Sequence, residues 1–171
     1  MKFLGKMFTI AGMAAALVSC SDKAVENENG DFRYLMDEFA DLKIMRYQVP
    51  GWDGLTLQQK EYVYHLAEAA KYGRDIIWMQ NCKYNLQIRK VLENILENYK
   101  GDRTCEEWAQ FETYAKRVFF SNGIHHHYAE DKFFPECSQE YFQSLMTAVG
   151  DESECAELLP VIFDPAVYPA R

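Results

Sequence analysis

From Ile88 to Tyr99 the apolar side chains fall at Ile88, Val91, Leu92, Ile95, Leu96 and Tyr99, and Gly101 follows. Spacings of three and four put all of them on one face of an α-helix, whereas a strand would scatter them over both sides of a sheet. The glycine supplies the stop. Whatever this chain folds into must bury one side of that helix, and the rest of the sequence offers further helices to do it.

Thr56 with Gln59 three residues later reads as a capping box, ahead of Val63, Leu66, Ala67 and Ala70 and a stop at Gly73. Arg74 to Gln80 adds a short helix. Thr104 and Glu107 read as a second capping box before Trp108, Phe111, Ala115, Val118 and Phe119, with Lys116 and Arg117 near the negative end of that helix dipole. Ser138 opens a helix through Tyr141, Phe142, Leu145 and Met146. Ahead of these, Phe32, Leu35, Met36, Phe39 and Leu42 predict a first helix from Asp31 that closes before Pro50 and Gly51. No stretch alternates over a useful length, and Val161-Ile162-Phe163 is boxed in by Pro160 and Pro165. The expected fold class is all-α, in one domain. The hydrophobic fraction of 49% and the aromatic fraction of 15% are ample for its core. Trp78, Trp108 and Tyr99 read as core aromatics, and His65, on a helix beside Tyr64 and Leu66, as a structural histidine. Asp164 to Arg171, with Pro165 and Pro169 and no closing cap, reads as an interruption rather than an end.

The N-terminus carries a different message. Lys2 and Lys6 precede an apolar run from Met7 to Val18, and Leu17-Val18-Ser19-Cys20 follows the bacterial lipobox pattern. The run is too short to span a bilayer, so residues 1–19 read as a cleaved signal peptide and Cys20 as the acylated first residue of the mature chain. Residues 20–30 are the tether, and the expected location is the bacterial cell envelope, with the membrane held through lipidated Cys20. The formal net charge of −8, with no clustered basic face, excludes a phosphate backbone as partner. Cys82, Cys105, Cys137 and Cys155 are an even set in a compartment that permits disulfides, but no CxxC spacing is present. Three pairings and free thiols all stay open.

The segment Phe119 to Pro135, FFSNGIHHHYAEDKFFP, is the least like core or surface filler and holds three of the four histidines. His125, His126 and His127 are adjacent, so on a regular backbone their side chains diverge and at most two reach one ion. No HExxH is present, and no GxxxxGKS/T or GxSxG loop. The segment therefore reads as a polar loop lining a cleft, with the three histidines as weak metal candidates and no catalytic residue assigned.

Four stretches, FADLKIMRYQVPGW, LTLQQKEYVYHLAEAAKYGRDI, QNCKYNLQIRKVLE and above all FFSNGIHHHYAEDKFFP, resemble the N-terminal part of the Bacteroidetes-type dipeptidyl peptidase III family, over about residues 32 to 165. The resemblance implies a two-lobed α/β zinc metallopeptidase that releases dipeptides from oligopeptide N-termini, of which residues 31–171 are the helical N-terminal part. It also implies that the zinc motifs HExxGH and EExxA/RxD lie downstream, and neither occurs in this sequence. The chain then has no cofactor of its own and no activity alone. Carried over onto the matching turn, the resemblance makes Asn122, Gly123, Tyr128, Asp131, Lys132 and Phe133 one wall of the peptide cleft, with Tyr128 flanking a subsite. A stand-alone helical lipoprotein that binds peptide or protein partners is the alternative, and metal capture by the histidines a third.

Overall fold

The computed structural model describes residues 32–170. The expected signal peptide, its tether and Cys20 lie outside the described residues. The chain is mainly helical: α1 (Leu57–Tyr72), α2 (Arg74–Asn81), α3 (Asn85–Asn98), α4 (Glu106–Ser121), α5 (Gln139–Ala148) and α6 (Cys155–Phe163) follow a two-stranded antiparallel hairpin, β1 (Leu35–Phe39) and β2 (Leu42–Met45).

The hairpin replaces the helix predicted between Asp31 and Pro50. Its strand signal is short: Leu42 and Ile44 are half-buried while Lys43 and Met45 are exposed. The reversal passes through Ala40 at φ 50, a left-handed conformation that no Gly, Asn or Pro advertises. What holds the hairpin is remote in sequence. Asp37 and Asp41 pair with Lys116 and Arg117 on α4 at 3.1 and 2.6 Å, so these two basic residues serve a tertiary contact rather than the helix dipole alone.

The stripe on α3 is buried as its spacing requires: Ile88, Leu92 and Ile95 are fully inaccessible and pack with Phe111 and Val118 of α4, Phe142 and Leu145 of α5, and Leu158 and Ile162 of α6. Removing each such side chain from water contributes about 1.5–3 kcal/mol. Trp78 and Trp108 are core residues, and Tyr99 stacks on Trp108 with ring centroids 5.3 Å apart. Arg103 closes α3 by donating to the carbonyls of Leu96 and Tyr99 at 2.9 and 2.6 Å. α6 runs through Pro160, so the run left unassigned between prolines is helical, with Val161 and Ile162 buried.

Thr56 and Gln59 form the expected capping box on α1, and Ser138 caps α5 by accepting from the Tyr141 amide. Thr104 and Glu107 do not form one. α4 begins at Glu106 with Cys105 at the cap; Thr104 donates instead to Asp102 Oδ1 at 2.7 Å, and Glu107 accepts from Ser138 Oγ at 2.8 Å. α1 departs most from expectation, for none of its residues is buried and Leu57, Tyr62, Tyr64, Leu66 and Tyr72 are exposed on it, as is His65, whose ring meets Tyr64 edge-on. Ile76, Ile77 and Met79 of α2 are exposed as well. Cys82, Cys105, Cys137 and Cys155 are all free thiols, and burial pushes the Cys137 thiol up to about 11. Among the described residues no helix is long and apolar enough to cross a membrane.

Candidate functional site: a braced histidine loop

The site begins where α4 stops. Asn122 takes the left-handed conformation at φ 54, which ends the helix, and the Gly123 amide donates back to Val118 O at 3.0 Å. Gly123, at φ 153, lies against the Asn85 side chain so closely that a methyl group there would overlap the amide. Asn85 is fully buried at the start of α3; its Nδ2 donates to Trp78 O at 3.2 Å and its Oδ1 accepts from the Ile124 amide at 3.2 Å. One side chain thereby ties α2, α3 and the loop together.

Beyond Ile124 the chain doubles back on itself. The Phe133 amide donates to Ile124 O at 2.8 Å, the His126 amide to Asp131 O at 2.7 Å, and His125 pairs with Lys132 as an antiparallel bridge. The backbone then has one tip, Tyr128 to Glu130, and Glu130 closes it in the left-handed region at φ 66.

Of the three histidines only His125 parts from its neighbours; the rings of His126 and His127 stack rather than diverge. His125 is buried, and its Nε2–H donates to Tyr168 O at 2.8 Å, which fixes that tautomer and leaves Nδ1 buried without a partner among the described residues. His126 Nδ1 accepts from the amides of Tyr128 and Ala129 at 3.1 and 3.0 Å, so it is the unprotonated nitrogen and the ring itself shapes the tip. His127 stacks on His126 with centroids 4.5 Å apart, meets Phe120 edge-on at 5.1 Å and lies 4.3 Å from the Tyr128 ring. Stacked rings present faces, not convergent nitrogens. Among the described residues no three His, Cys, Asp or Glu side chains are grouped to hold a metal ion.

Lys132 is turned inward. Its Nζ donates to Asp164 O at 2.6 Å and Val167 O at 2.8 Å; burial lowers its pKa from the ordinary value, with the nearby Asp164 charge opposing. Together with His125 to Tyr168 and a bridge between Asp131 and Ala170, these bonds stitch residues 164–170 beneath the loop. The tail that reads as an interruption is thus part of the brace. Phe133 is half-buried, 5.9 Å from His126 and under the Arg117 guanidinium at 5.4 Å.

Of the six residues singled out for the cleft wall, Gly123, Lys132 and Phe133 hold the loop from within. Asn122 is half-buried at its base, and Tyr128 and Asp131 face solvent, Tyr128 at 85% exposure. Sequence reasoning passed over Asn85, whose only signal is a polar residue at the head of the chain's most apolar stripe. Arg117, assigned only to the helix dipole, grips both the hairpin and Phe133. No protein-family model matches this sequence, and no curated protein matches it significantly.

Proposed function

We propose that this chain is the helical N-terminal portion of a lipid-anchored, zinc-dependent dipeptidyl peptidase III-like exopeptidase, and that residues 119–135 form one wall of its peptide cleft. The observation that carries the reading is the segment FFSNGIHHHYAEDKFFP itself, within a resemblance over about residues 32 to 165. Two features of the fold support it. The loop backbone is braced from below by Asn85, Lys132 and His125, while Tyr128, His126 and His127 offer an aromatic surface of the kind that flanks peptide side chains. The apolar surface of α1 and α2 is the sort of face that a further lobe covers.

The residues present do not fit a catalytic zinc site. His125 Nε2 and His126 Nδ1 are engaged with backbone groups, and the sequence holds neither HExxGH nor EExxA/RxD. Zinc belongs to the complete enzyme in this reading, and the chain alone is inactive. Reading the coding sequence beyond the Arg171 codon tests it. An in-frame continuation containing HExxGH supports the proposal; a stop codon with no neighbouring gene carrying that motif overturns it and favours a stand-alone lipoprotein that binds peptides or a partner.

A further inference from the structure

A cavity of about 550 Å³ opens between α2, α3 and the end of α4. Its size falls in the range of roughly 300–1,000 Å³ typical of small-molecule sites. Three walls build it. Arg74 and Trp78 lie one turn apart on α2; Arg89, Glu93 and Glu97 lie at successive turns of α3, with Leu96 beside them; Phe119, Phe120 and Asn122 close it from α4.

The charges in it are not equally available. Arg89 is committed twice, to Glu93 at 2.7 Å and to Asp75 at 2.8 Å, and its guanidinium covers the Trp78 ring at 5.5 Å. That leaves one cation and one anion. Neither Arg74 nor the Glu97 carboxylate has an ion-pair or hydrogen-bond partner among the described residues. Between them the lining is apolar: Trp78, Leu96, Phe119 and Phe120. The buried Trp78 indole N–H has no acceptor among the described residues either.

We propose that this cavity binds a small zwitterion with an apolar body, its carboxylate held by Arg74 and its ammonium by Glu97. A lone cation would select anions in general and a lone carboxylate would select amines. The two on facing helices, across an aromatic floor, select a molecule that carries both charges and an apolar side chain. Free apolar amino acids and short unblocked peptides share that chemistry. The cavity shares Phe119, Phe120 and Asn122 with the proposed cleft wall, but the two charges that set its ligand class, Arg74 and Glu97, lie outside that segment, so the inference does not rest on the peptidase reading.

The test is isothermal titration of the chain with phenylalanine, with the dipeptide Leu-Phe, and with Leu-Phe blocked at its N-terminus by acetylation or at its C-terminus by amidation. Arg74 and Glu97 are exposed, so Arg74→Gln and Glu97→Gln leave the core intact, and circular dichroism checks that they do. The expected result is 1:1 binding of at least one free zwitterion, weakened tenfold or more by either substitution. Acetylation should weaken binding to the native chain but not to Glu97→Gln, and amidation should do so except in Arg74→Gln. The tighter of phenylalanine and Leu-Phe identifies the source. Absence of binding by both, equal binding of the blocked peptides, or indifference to both substitutions overturns the proposal.

Discussion

Gly123 and Asn85 occupy one another's only available space: the glycine has no side chain because the Asn85 amide fills the position a Cβ would take. Asn85 cannot move aside, since it is fully buried and its two amide ends are bound to Trp78 O and the Ile124 amide. Gly123→Ala therefore meets both overpacking and an unfavourable φ of 153. The expected loss is about 2–4 kcal/mol in a urea unfolding titration. A loss below the error of that titration would mean that the loop is not braced through this contact.

The hairpin is fastened by charge, which makes it sensitive to acid. The hydrogen bond from Lys116 is the largest influence on Asp37 and holds its carboxyl below 3.8, its ordinary value. A carboxylate lowered in the folded state contributes stability above the unfolded value, and that contribution is lost as pH falls through the folded one. NMR titration should show Asp37 ionising below the ordinary carboxylate range, and Lys116→Ala should move it back up. Both groups are solvent-exposed to a degree that screens the pair, so Lys116→Ala should change global stability by less than about 1 kcal/mol.

How much of this was legible in the sequence follows from how local each signal is. The α3 stripe, the Thr56–Gln59 box and the Ser138 cap rest on residues within one or two helical turns, and they appear where the spacing puts them. The hairpin failed because its turn is carried by Ala40 and its docking by Lys116 and Arg117, some seventy or more residues away. Thr104 failed because a competing local acceptor, Asp102 Oδ1, takes its hydroxyl. Within the site, adjacency separated His125 from the other two but did not foretell that the His126 and His127 rings stack, and the partners that give each ring its task, Tyr168, the tip amides and Phe120, could only come from the fold.

The lipobox at Leu17 to Cys20 makes a separate prediction about the envelope. Cys20→Ala, or treatment with globomycin, should leave an unprocessed precursor of higher mass on a gel and abolish incorporation of labelled fatty acid. Unchanged mobility and unchanged labelling would remove the lipid anchor from the account.

A loop from Phe119 to Pro135 that serves as a peptide-binding wall must respond to peptide, which amide NMR of the labelled chain titrated with an unblocked apolar tetrapeptide reads residue by residue. Saturable shifts are expected at Tyr128, Ala129 and Asp131, weakened about fivefold or more in Tyr128→Ala, which leaves the core intact because that side chain is exposed and lies against His127 at the loop surface. Arg74→Gln should leave those shifts in place, which separates the wall from the cavity beside it. Shifts absent from the loop at millimolar peptide, or unaltered in Tyr128→Ala, would contradict that role.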